Sequence, residues 1–258
     1  MFIAIFFKYH SEQVYELLKV NEYLGGLITM ARRRKPLAKK GRDDDVRVIS
    51  GFILGSILTV IMLVVVIIAP PATIGPSEGE LAPDFSADAY NGVNWQNFKL
   101  SDTFDYEWEE GEKGEWIVVQ FIDTDCPYCW TEGETMSNLY SEWSTTVEFI
   151  TITVELSITN HDSNRAEVEA FRDKTSYGTE ENDGDGCNSG RNDCLNRPGT
   201  PHNWNYIEGS SGIMRDWEIT GTPFLAILQP NGYVAWNQYE NSGENIEEAM
   251  ERLVGGSQ

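Results

Sequence analysis

The sequence of 258 residues predicts an α/β domain, a central mixed sheet flanked by helices, preceded by one transmembrane helix. Three observations predict it. The run 48–69 carries no charged residue and has the ~20 apolar residues that a helix needs to cross hydrocarbon. Beyond residue 80, β-branched apolar runs alternate with amphipathic stretches, the order of a layered α/β fold. The most apolar of these runs, 116–122, leads at once into Cys126, Pro127, Tyr128 and Cys129, where a helix begins.

Charge separates the chain into two parts. Asp and Glu number 41 against 19 Lys and Arg, a net charge of −22. That excludes a nucleic-acid partner, whose phosphates need cations. An apolar share of 41% excludes global disorder, and four Cys are too few for a disulfide-built scaffold. Residues 1–47 hold ten Lys/Arg and six Asp/Glu, whereas residues 70–258 hold nine and 35. The basic cluster of Arg32, Arg33, Arg34, Lys35, Lys39, Lys40, Arg42 and Arg47 precedes the apolar run. By the positive-inside rule, 1–47 is a cytoplasmic tail and 70–258 lies outside a cell membrane crossed once, with 48–69 in the bilayer. A cleaved signal would have an apolar core of only ~7–15 residues and a small-residue cleavage site. Ala69-Pro70-Pro71 is a poor site, which favours an uncleaved anchor. Met30 with its Arg run looks like an ordinary start, so residues 1–29 are expected to fall outside the natural chain. Residues 70–80, rich in Pro, Gly, Ser and Glu, read as a linker.

The outer domain is expected over 81–258. A lead-in segment (81–88) is followed by a strand or hairpin (93–100) and a solvated acidic loop (102–115). The run 116–122 suits a central buried strand. Residues 130–143 read as a helix, with Met136, Leu139, Tyr140 and Trp143 on one face. A second strand (147–154) and a short helix (164–174, Val168 and Phe171 inward) follow. Residues 177–205 are rich in Gly, Asn and Asp and read as an inserted loop. A helical turn (213–217), a hairpin (224–228 and 233–236, turning at Pro230-Asn231-Gly232) and an amphipathic helix (244–254) close the chain.

The candidate chemistry is at Cys126 and Cys129. A Cys at a helix N-terminus meets unpaired N–H groups and the positive end of the macrodipole, which favour its thiolate. Cys129 lies one turn later on the same side, in reach of a short disulfide. Cys126 is therefore the expected nucleophile toward a partner disulfide, and Cys129 the resolving thiol. Pro127 suits the first helical turn, where its missing N–H is no loss. A structural disulfide, a zinc half-site and two unrelated buried thiols are the competing readings. A second Cys-x-x-Cys for zinc is lacking.

These features together resemble the thioredoxin-like superfamily, and most of all its membrane-anchored TlpA-like thiol–disulfide oxidoreductases. The resemblance lies in Leu81-Ala-Pro-Asp-Phe85, in 116–129, in Gly221-Thr222-Pro223-Phe224 and in the hairpin 225–236. It implies that Pro223 is cis and faces Cys126, that Thr222 offers its backbone to an extended substrate, and that Pro127 and Tyr128 lie at the docking surface. It implies no organic cofactor, extracytoplasmic protein thiols or disulfides as substrates, and a membrane electron donor or acceptor. Within this class the resemblance points to thiol reduction of the cytochrome-maturation kind. The chain departs from the family at three points. Asp125 and Asp123 precede Cys126 where an aromatic residue is common, and two carboxylates should oppose a thiolate. Gln120 occupies the place of the thioredoxins' buried acid. Peroxiredoxins carry Thr or Ser three residues before the reactive Cys and Pro four before that; here stand Asp123 and Val119. A peroxidase is therefore disfavoured. A non-catalytic binding module or a metal chaperone is the alternative from another class.

In the insert, Cys187 and Cys194 are expected to close a local structural disulfide. Asp183, Asp185 and Asp193 are weak calcium candidates, without the twelfth-position Glu of an EF-hand. Trp116, Trp143 and Trp236 read as core, Trp130 as packing under the reactive helix, and His161 and His202 as surface residues.

Overall fold

Every residue of β3 (Trp116–Ile122) is buried, so this strand must have a layer on each side. The computed structural model describes residues 53–61, 72–156, 163–177, 187 and 193–257, and β3 lies in the interior of its sheet. The seven strands are β1 (Ser86–Tyr90), β2 (Trp95–Lys99), β3, β4 (Val147–Thr153), β5 (Asn205–Glu208), β6 (Phe224–Leu228) and β7 (Val234–Asn237). They run in the order β2-β1-β5-β4-β3-β6-β7. β3, β4 and β5 are parallel, and the other pairs are antiparallel. Four helices cover the sheet: α1 (Pro127–Trp143), α2 (Arg165–Asp173), α3 (Ser211–Asp216) and α4 (Ile246–Leu253).

The period-two alternation of β3 divides the core. Val118 and Ile122 pack with Met136 and Leu139 of α1, Val168 and Phe171 of α2, and Met250 of α4. Ile117, Val119 and Phe121 face the opposite layer, with Phe85, Leu100, Ile213 and Trp217. The helices are capped as their sequences dictate. Asn164, Ser210 and Asn245 each accept a backbone N–H, and Asn245 with Glu248 completes a capping box.

The expected elements 116–122, 147–154 and the final hairpin and helix all form. Four expectations need correction. Residues 177–205 do not end as loop: Asn205–Glu208 is β5, inserted between β1 and β4. Only Tyr206 and Ile207 are apolar in it, too little to register as a strand. The acidic loop after β2 is not wholly solvated, because Trp108 is buried with its ring edge on Trp116 at 6.0 Å. Residues 72–80 are tied to the last hairpin by Gly79 N–H to Val234 O and Asn237 Nδ2 to Pro76 O, rather than forming a free linker. His202 is not at the surface; it is 1% exposed.

His202 belongs to a buried clamp on α1. Its ring stacks on Trp204 at 4.0 Å, with Nδ1 2.6 Å from the Tyr206 hydroxyl. Burial first, then the Arg197 charge, hold its pKa well below the ordinary value, so it is neutral. Arg197, fully buried, donates to the carbonyls of Phe171, Pro198, Thr200 and Gly133. Ser137 and Thr200 also bond each other, and the Tyr140 hydroxyl donates to Asn203 O. The inserted segment thus grips the helix at whose start Cys126 and Cys129 lie.

The expected membrane span lies mostly outside the described residues. Its described part, 53–61, is helical. Among the described residues no helix is long and apolar enough to cross a membrane.

Gly133 tests the clamp. Ala in a helix interior gains ~1 kcal/mol over Gly from propensity. A Cβ at position 133, however, would meet Arg197 Nη1 at 2.5 Å and Pro198 O at 3.2 Å. Overpacking of that kind costs about 1–3 kcal/mol, so Gly133→Ala should lower the thermal midpoint. A raised midpoint would show that the clamp yields freely.

Candidate active site

The loop from β3 to α1 is held by a carboxylate. Asp123 Oδ1 accepts the Asp125 N–H at 2.9 Å and its Oδ2 accepts the Leu156 N–H at 3.2 Å, while Asp123 O accepts the Cys126 N–H at 3.0 Å. The turn aims Cys126 into the N-cap position of α1, with Pro127 at the first helical position. The helix therefore starts three residues earlier than its apolar spacing suggested. Asp123 is thus engaged in shaping the turn.

Cys126 and Cys129 are both free thiols, 5% and 1% exposed. The Cys126 Sγ lies 3.4 Å from Thr222 O, and the Thr222–Pro223 bond is cis. The structure so brings together four of the expected residues: Cys126, Cys129, Thr222 and Pro223. Tyr128, between the two Cys, is 77% exposed.

The two sulfurs differ electrostatically. Cys126 is lowered to about 6, chiefly because the Cys129 thiol donates to it, with the N–H groups of Cys129 and Tyr128 and the Thr222 side chain assisting against burial. The Thr222 hydroxyl oxygen is buried and has no geometric hydrogen-bond partner among the described residues. It is a donor held in reserve for the thiolate. Cys129 is pushed well above the ordinary thiol value by burial, then by Cys126. One thiol is thus ionised at neutral pH and the other held protonated.

Sequence reasoning missed a carboxyl group at this site. Glu132 receives a 2.8 Å hydrogen bond from Gln120 Nε2, and burial pushes its pKa up to about 7, with the Cys126 charge adding to the rise. A signal was present: position 132 is three past Cys129, the same helical face.

The insert carries the expected Cys187–Cys194 disulfide, fully buried in the same apolar cluster as Cys126 and Cys129. Glu167 connects the two regions. Its carboxylate accepts from Thr124 at 2.5 Å, and its backbone O lies 4.0 Å from Cys194 Sγ. Asp193 caps a single 3₁₀ turn and accepts from Ser176, Tyr177 and Leu195. Its oxygens are used within the fold. Asp183, Asp185 and His161 lie outside the described residues. Among the described residues no three or more His, Cys, Asp or Glu side chains cluster as a metal site would need. Trp116, Trp143 and Trp236 are core as expected, and Trp130 packs edge-on to Phe171 at 6.5 Å.

Residues 79–179 match the family model described as AhpC/TSA family. With the fold, this match supports a thioredoxin-like redoxin domain. Similar solved structures include the thioredoxin domain of a thiol-disulfide oxidoreductase from Bacteroides vulgatus, 13% identical, covering 70% of this chain and 99% of that one, with a TM-score of 0.44. A thiol:disulfide interchange protein from Bacteroides sp. is 14% identical over 70% and 93%, with a TM-score of 0.45. A reduced 2-Cys peroxiredoxin from Plasmodium vivax is 15% identical over 69% and 94%, with a TM-score of 0.46. No curated protein sequence matches the chain. These likenesses do not choose between exchange and peroxide chemistry, so the site must.

The raised carboxyls predict an uncommon pH dependence. Glu132 and Glu148 both rise from 4.5 to about 7, Glu148 through burial and the nearby Glu115. Between pH 4.5 and 6 the folded state then binds more protons than the unfolded one, and stability falls as pH rises. That window ends where the Cys126 titration begins to act in the opposite direction. Urea unfolding of Glu132→Gln/Glu148→Gln should show a flatter slope across pH 4.5–6 than the parent. An unchanged slope would contradict the assignment.

Proposed function

We propose that this protein is a membrane-anchored thiol–disulfide oxidoreductase acting on extracytoplasmic protein thiols, with Cys126 as nucleophile and Cys129 as resolving thiol. The observation that carries the reading is the split of one Cys pair into a thiol near 6 and a buried thiol far above it, beside the Thr222–Pro223 loop. In the reductive direction, the Cys126 thiolate attacks a substrate disulfide. A Cys126–substrate bond forms as the substrate bond breaks, and one substrate thiolate leaves. Cys129 then loses its proton and attacks Cys126. The second substrate thiolate departs, and the domain is left oxidised by two electrons. Glu132, one helical turn past Cys129 and raised to about 7, is the candidate acceptor for the Cys129 proton. Pro223, Thr222, Pro127 and Tyr128 form the docking surface. The run 48–69 is the anchor, with the tail 1–47 cytoplasmic. A membrane dithiol donor returns the electrons, and the cytochrome-maturation kind of thiol reduction is the narrower expectation.

A peroxide-reducing reading draws on the match at 79–179. Against it, the place of the Thr or Ser hydroxyl is taken by Asp123, whose carboxylate oxygens accept the loop N–H groups.

Trapping in native membranes tests the proposal. Cys129→Ser should accumulate a mixed disulfide with a protein partner, released by dithiothreitol, while Cys126→Ser should not. Absence of any adduct, with peroxide consumed by the parent protein, would favour the second reading.

A further inference from the structure

The two stretches that build the site contain no cation. Lys and Arg are absent from residues 114–164, which form β3, α1 and β4, and from 216–251, which form the cis-proline loop, β6, β7 and most of α4. Those stretches carry nine and seven Asp or Glu. An anionic thiol compound would find no counter-charge in either stretch, and would be repelled by the field of the domain.

The surface beside Cys126 is aromatic. Tyr239 follows β7 and fastens the cis-proline loop from outside. Its hydroxyl donates to Gly221 O at 3.0 Å, and its ring lies 4.6 Å from that of Phe224. Gly221 and Phe224 bracket Thr222 and Pro223, so this tyrosine stands at the loop that touches Cys126. It is nevertheless 48% exposed. Tyr128 presents a second exposed ring between the two Cys. Exposed tyrosines at recognition surfaces combine contact area with low ordering cost.

We propose that Tyr239 and Tyr128 are contact points for a basic polypeptide segment carrying an apolar side chain next to its cysteine, and that glutathione disulfide, with its carboxylates, is a poor substrate. This rests on the exchange reading above and narrows its substrate. The Cys126 thiolate takes one sulfur of the peptide disulfide, and Cys129 then displaces it. The peptide gains the two electrons that the Cys pair loses.

The reduced full-length protein in detergent would be mixed with three disulfides. One is a peptide dimer with Phe beside Cys and Lys around it; one has Glu in place of Lys; the third is glutathione disulfide. The Lys peptide should react at least about ten-fold faster than the other two at low salt, the gap closing as salt screens it. Replacing its Phe by Gly should slow the parent protein, and Tyr239→Ala should bring that Phe-to-Gly ratio toward one. Equal low-salt rates for the three disulfides would overturn the charge preference whatever the variant does. An unchanged Phe-to-Gly ratio in a folded Tyr239→Ala protein would overturn the role of the tyrosine. Failure to react with any disulfide would overturn the exchange reading itself, and this inference with it.

Discussion

The rest of the site depends on one constraint: a sulfur held at the N-terminus of a helix whose inner face is buried. Cys126 is the N-cap of α1, and its thiolate is served by the Cys129 thiol and by the first N–H groups of the helix. That arrangement requires β3 to deliver the chain at a fixed point, Asp123 to turn it, and the helix not to slide. Each requirement is met by a separate part of the sequence.

The insert meets the last of them. Arg197 and His202 converge on the Gly133 carbonyl, one turn after Cys129, and Thr200 holds Ser137. Among the described residues the buried guanidinium has no carboxylate partner; it donates to four carbonyls and lies beside a neutral histidine. A buried charge so satisfied is costly to disturb, which makes it a positional lock rather than a source of net stability. The Cys187–Cys194 bridge and Glu167 belong to the same assembly, since one residue touches both the bridge and the loop before Cys126.

What the sequence made legible follows the range of the forces involved. β3 and β4 carry strong local apolar runs, and Cys126 to Cys129 sits at the junction of β3 with α1, so strand, motif and helix could all be read in advance. Pro223 was legible only through family resemblance, because nothing in its neighbours distinguishes a cis bond from the start of a strand. β5 was not legible: Asn205 and Glu208 flank only two apolar residues, and their pairing with β4 spans more than fifty positions. His202 was misread for the same reason. Its sequence neighbours are polar, and its burial is decided by Arg197 and Tyr206 in space. Glu132 was readable from helical spacing, but its raised pKa depends on burial that the spacing does not give.

The ionisation of Cys126 itself is the most direct test of the account. Titration of the reduced protein, followed by the carbon-13 shift of the Cys126 Cβ, should give a midpoint near pH 6, with Cys129 still protonated well above it. Thr222→Val should move that midpoint upward, because the reserve donor is lost. A Cys126 midpoint at the ordinary ~8.5 of a free thiol, or one indifferent to Thr222, would contradict the account.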